Sequence, residues 1–181
     1  MSENQEVKII LPEVISSGSG RISSPISLDL RNTKEAERRL YEVKMVNPST
    51  YADLDYCFNS AYRELKRHYA SVTYEIDNVN KRIGEIRAGI IIDKYPDFMK
   101  DKPAKMDTAD MRNSFVARDP DYQMAVDRLN QLQMIEKLVD GKIKVFERAC
   151  SFMRKQMDLI LRSGVDPNIY VTNKGSFNGK E

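Results

Sequence analysis

The groups that could do chemistry in this chain are few, and their spacing argues against catalysis. There is a single histidine, His68, flanked by Arg67 and Tyr69. No serine, cysteine or carboxylate stands near it at the spacing of a nucleophile–base pair, so it reads as a structural histidine. The two cysteines, Cys57 and Cys150, are far from each other and from His68 in sequence. They are too few for a disulfide framework or a metal set, and each reads as a small core residue. The one glycine-rich stretch, SSGSG, lacks the lysine and helix of a phosphate loop. Asp97, Asp101, Asp107 and Asp110 are interleaved with lysines and miss the odd-position pattern of a calcium loop. The sequence therefore predicts no enzyme, no metal and no cofactor.

What remains is charge for binding a polyanion. The chain has 29 Lys and Arg against 27 Asp and Glu, a net charge of +2 that names no partner by itself. The distribution is uneven. Residues 1–50 carry seven basic and seven acidic residues, whereas residues 94–118 carry six against four and residues 137–162 carry seven against three. One basic set is Lys81, Arg82, Arg87, Lys94, Lys100, Lys102, Lys105 and Arg112, with Tyr95, Phe98 and Phe115 among them. Cations for phosphates beside aromatics for bases is how single strands are held without sequence preference. A second set is Lys137, Lys144, Arg148 and Lys155, at steps of seven, four and seven on one helix face. For both sets the plain alternative is a solvated outer face.

Two long helices must position these residues. The stretch 119–164 opens with Asp119 as a cap and Pro120 at the first helical position, and Gly164 is a natural stop. Tyr122, Ala125, Leu129, Leu132, Ile135, Val139, Ile143, Phe146, Cys150, Met153, Met157 and Ile160 recur at three- and four-residue steps. Residues 51–93 repeat the pattern through Tyr51, Leu54, Phe58, Ala61, Leu65, His68, Val72, Ile76, Val79, Ile83, Ile86 and Ile90, with two successive steps of four after His68. That extra step is a stutter, which relaxes a left-handed supercoil. Tyr95-Pro96 should end this helix. Shorter helices are expected over 33–43, capped by Thr33, and from Thr108 to Val116.

The expected fold is all-α. It is a long antiparallel helical hairpin over 33–164 with short flanking helices, oligomerising through coiled-coil-like seams, with Leu65, Val72, Ile83, Leu129, Phe146 and Met153 at oligomer or core seam positions. Residues 1–32 read as a flexible arm, in which Val7–Leu11 and Ile26–Leu30 carry only faint strand patterns, and 165–181 as a mobile tail. The longest apolar run is Ile90-Ile91-Ile92, far short of a membrane span, and no leader pattern opens the chain; a soluble, cytoplasmic protein is expected.

Several segments together resemble a family. They are STYADLDYCFNSAYRELKRHYASV, Lys81-Arg82, IDKY at 92–95, and MRNSFVARDPDYQMAVDRLNQL leading into IKVFERACSFMRK. Over about residues 47–160 this order resembles the UvsY recombination mediator proteins of large tailed phages. The resemblance implies a non-enzymatic, ring-like homo-oligomer. It would bind single-stranded DNA and load a phage recombinase in place of the single-strand-binding protein, in the cytoplasm of an infected host. One departure stands out: where the family carries a Lys-x-Arg pair before the Asp-x-Tyr exit, this chain has Gly89 and Ile91. The rival expectation is a structural coiled-coil adaptor or scaffold that binds no nucleic acid.

Overall fold

The structure, a computed structural model, describes residues 8–16, 18, 20–43 and 46–163. It is mostly helical. Four short strands come first: β1 (Lys8–Leu11), β2 (Val14–Ser16), β3 (Gly20–Ser23) and β4 (Ile26–Asp29). The helices follow: α1 (Arg31–Glu42), α2 (Pro48–Gly89), a π-helical turn (Ile90–Lys94), α3 (Tyr95–Met99), a 3-10 turn (Ala104–Met106), α4 (Ala109–Ala117) and α5 (Pro120–Arg162). Both long helices pass through two compact units. One contains Leu30–Lys66 and the chain from Gly141 onward; the other contains Lys8–Asp29 and Arg67–Asp140. Gly164 and the tail 165–181 lie outside the described residues, as does Val7.

In the first unit α2 and α5 run antiparallel. The Phe58 and Phe146 rings meet with centroids 5.9 Å apart, and Cys150 lies beside Asn59. Phe58, Ala61, Leu65, Phe146, Ala149, Cys150 and Met153 are buried there, as the helical spacing requires. Helix α1 starts differently from the expectation. Its N-cap is Leu30, which offers no side-chain cap, and Thr33 lies inside the helix. The missing acceptor comes from α2. Glu64, itself buried, accepts from the Thr33 amide at 3.2 Å, the Thr33 hydroxyl at 3.1 Å and Asn32 Nδ2 at 3.0 Å. A carboxylate on an orphan amide at a helix N-terminus gains both a charge-assisted bond and the helix dipole. Replacing Glu64 with alanine should therefore cost about 1–3 kcal/mol, read as a lower urea midpoint. At the start of α2, Asn47 accepts from the Thr50 amide and the Ser49 hydroxyl, so it caps in place of either.

In the second unit the expected arm gives way to a folded segment. The all-α expectation, and that of a flexible arm over 1–32, are corrected across Lys8–Asp29. β1 pairs antiparallel with β4, from Lys8↔Asp29 to Leu11↔Ile26. β2 pairs antiparallel with β3, with an irregularity between Val14 and Ile15. Gly20 takes φ +81, a left-handed conformation that side chains resist. Two-stranded ribbons do not stand alone in water; these are held by helices. Ile22 packs in one core cluster with Ile86, Ile90, Val116 and Ala125, with Val14 at its edge. Ile26 and Leu28 are buried too. The Asp29 carbonyl lies 2.7 Å from His68 Nε2, which gives the lone histidine a structural partner. Thr73 donates to Glu136 on α5, and the two long helices run antiparallel here as well.

The link between β3 and β4, at Ser24, is held by two buried charges. Arg128 is 2 % exposed; its Nε donates to the Ser23 hydroxyl at 2.8 Å and its Nη2 to the Ser24 carbonyl at 3.0 Å. Glu75 is 5 % exposed and accepts from the Ser24 amide at 2.6 Å. Burial lowers the Arg128 pKa and the nearby Glu75 charge pulls it back up. Deleting residues 1–24 should accordingly destabilise the protein, because it uncovers Ile86 and Ile90 and strips Arg128 of Ser23 and Ser24. A truncated chain with an unchanged melting temperature would refute this.

Candidate nucleic-acid interface

The candidate basic residues lie where α2 ends and α5 begins, all within the second unit. The first long helix does not stop before Tyr95-Pro96. It widens into the π turn at Ile90–Lys94 and continues as α3, with Pro96 in the first turn of α3, where a missing N–H costs little. The widened turn brings Lys94 to Asp119, 2.5 Å from Nζ to Oδ2. Asp119 does two jobs: its other oxygen accepts from the Asp121 amide at 3.0 Å and the Tyr122 amide at 3.4 Å, capping α5 as expected. Burial alone would raise the Asp119 pKa, but Lys94 and the two amides outweigh it and the net direction is down.

A second knot holds the connector. Arg112 grips Asp107 with both arms of its guanidinium, Nε and Nη2 each at 2.7 Å, and the Tyr95 hydroxyl donates to Asp107 at 2.9 Å. The Arg112 bonds, then the Tyr95 bond, hold the Asp107 pKa below its ordinary value. α4 is capped by Thr108, whose hydroxyl accepts from the Met111 amide. The three aromatics pack on one another, with ring centroids 5.9 Å apart for Tyr95–Phe98, 5.5 Å for Tyr95–Phe115 and 4.6 Å for Phe98–Phe115. Tyr95 is buried, so it offers no face to a base. Phe98 and Phe115 are half-buried in the same cluster, and Lys102 lies over the Phe98 ring.

Of the eight candidate cations Lys102, half-buried, is the one over the Phe98 ring, and the other seven divide as follows. Arg82, Lys94 and Arg112 are engaged by Glu85, Asp119 and Asp107. They neutralise the protein's own carboxylates before any phosphate. Arg87 donates to the neutral Asn113 at 2.8 Å and keeps its charge uncompensated. Lys81, Lys100 and Lys105 are exposed and form no ion pair among the described residues, and Arg118 is exposed in the same way. Asp93, Asp97, Asp101 and Asp110, also exposed, offset part of this charge. Gly89 and Ile91 supply none.

Most residues expected at an oligomer or core seam lie in the chain's own core. Leu65, Val72, Phe146 and Met153 are buried, and Ile83 and Leu129 are half-buried. Among the described residues no cluster of three or more His, Cys, Asp or Glu is placed to hold a metal, and no helix is long and apolar enough to cross a membrane. No family model, curated protein or solved structure matches this chain.

Proposed function

We propose that the protein is a non-enzymatic, single-stranded-DNA-binding accessory protein of the recombination-mediator kind. It would work as a homo-oligomer that loads a recombinase onto a strand held by single-strand-binding protein. The observation that carries the reading is the uncompensated charge of Lys81, Arg87, Lys100 and Lys105, around a corner held by internal ion pairs. Cations on a rigid element lose little freedom when they meet phosphates. The resemblance to the UvsY proteins supports the same reading. In an oligomer this modest patch would recur, and recurrence multiplies weak contacts. Binding energy and the recombinase's own nucleotide would drive the exchange, so no catalytic group is needed.

The test is a salt series with a long single strand. Each phosphate contact contributes about 0.7 to the log–log slope. Replacing Lys81, Lys100 and Lys105 together with glutamine should lower the slope by about 2 while helicity stays unchanged. An Arg82→Gln change should alter the slope far less, because Glu85 already holds that side chain. Wild-type protein without measurable affinity at low salt would end the mediator reading. The adaptor reading is favoured by a different observation, the apolar residues left on the outside of α5.

A further inference from the structure

The C-terminal part of α5 carries a repeat that the described residues leave exposed. Phe146, Cys150 and Met153 face the core. One place before Phe146, Met153 and Ile160, at steps of seven, runs a second stripe: Val145 at 45 % exposure, Phe152 at 56 % and Leu159 at 61 %. Three residues after each member stands a cation, Arg148, Lys155 and Arg162. All three are exposed and form no ion pair among the described residues. The unit "apolar, then basic at the third place on" thus occurs three times with a period of seven. Residues three apart on a helix are neighbours, so each pair is one contiguous spot. Residues seven apart drift by only about 20° around the helix, and a second helix can follow that drift by supercoiling.

We propose that this face of α5 docks an amphipathic helix of another protein, one with apolar residues in one seam position and Asp or Glu in the other. Charge decides the occupant. In heptad terms Val145, Phe152 and Leu159 are a positions and Arg148, Lys155 and Arg162 are d positions. A second copy laid parallel in register would set each cation against its own counterpart. Laid antiparallel, it would bury cations against apolar groups with no counter-charge. Either arrangement desolvates charge without compensation. Glutamates on a partner helix supply the missing charge, and such pairing is how coiled coils choose partners. The surface belongs to the first unit and shares no residue with the cations assigned to DNA, so the two proposals stand or fall separately.

The probe is a synthetic helical peptide with leucine at every a and glutamate at every d, titrated into the full-length protein and read by fluorescence anisotropy. The acidic peptide should bind, and a peptide with lysine at every d should not. Phe152→Ser should weaken binding by about tenfold or more, the loss expected of a central apolar anchor. Arg148→Glu combined with Lys155→Glu should reverse the preference toward the lysine peptide. These positions are exposed, so circular dichroism should show every variant folded. The Lys81, Lys100 and Lys105 glutamine variant should bind the acidic peptide as wild type does. Equal binding of both peptides, or no reversal in the charge-swapped variant, overturns the proposal. So does a wild-type dimer that Phe152→Ser dissolves, which would make a second copy the occupant. Loss of binding to anionic phosphatidylserine vesicles or to an oligonucleotide on Phe152→Ser, with the acidic peptide unbound, would assign the face to those ligands instead.

Discussion

Replacing Arg128 with alanine should cost the protein about 3–5 kcal/mol, because it removes two buried hydrogen bonds from a charged group at about 1.5–3 kcal/mol each. The loss has three physical sources. The Ser23 hydroxyl and the Ser24 carbonyl lose their donors, Glu75 loses the positive field that offsets its burial, and a guanidinium-sized hole opens in the second unit. Urea unfolding should show the midpoint falling, and limited proteolysis should show earlier cleavage within residues 20–29. Arg128→Lys separates shape from charge. Lysine keeps the positive charge but cannot span Ser23 and Ser24 with a planar fork, so its loss should be smaller but well above that of a surface change. An Arg128→Ala protein as stable as wild type would mean that the hairpin is held by Ile22, Ile26 and Leu28 alone.

A loss of similar size is expected from Phe146→Ala, about 3–5 kcal/mol for a fully buried ring. Phe146 is 0 % exposed and rests on Phe58, which is 1 % exposed, so neither neighbour can move far to fill the space. The internal control lies six residues on. Phe152 is on the same helix but 56 % exposed, and Phe152→Ala should shift stability by no more than about 0.5 kcal/mol. Thermal melts of the two variants measured side by side check both numbers. Equal losses would show that Phe152 is covered in solution.

The long helices were legible because a three-and-four repeat of apolar residues has one meaning over forty residues. The caps at Thr108 and Asp119 were legible because short acceptors before a helical run have few other uses. What escaped was charge inside the core. The stripe of α5 reads Ala125, Leu129, Leu132 when only apolar residues are counted, but the buried register is Ala125, Arg128, Leu132. Glu64 and Glu75 hide in the same way beside Leu65 and Ile76. Burial of such groups depends on partners distant in sequence, Asn32, Thr33, Ser23 and Ser24, which no local pattern announces. The strands were missed for a related reason: each is four residues or fewer and gains its stability from helices that come later. Pro96 signals a stop in sequence, whereas the π turn lets it begin a new helix. The candidate cations were visible as a group. Which of them are spent on Glu85, Asp107 and Asp119 required the fold.

The bond from Arg128 to Ser23 spans 105 residues of sequence. A ribosome adding roughly 5–20 residues per second takes on the order of 5–20 s to cover that distance. Within that interval the partners arrive in steps: Glu75 about halfway through, then Ile86 and Ile90, which pack on Ile22, and last Arg128. The strand segment thus waits longest for its last buried donor, although it is made long before α5. Slow translation should therefore hurt its yield more than that of a helical protein whose contacts are all local.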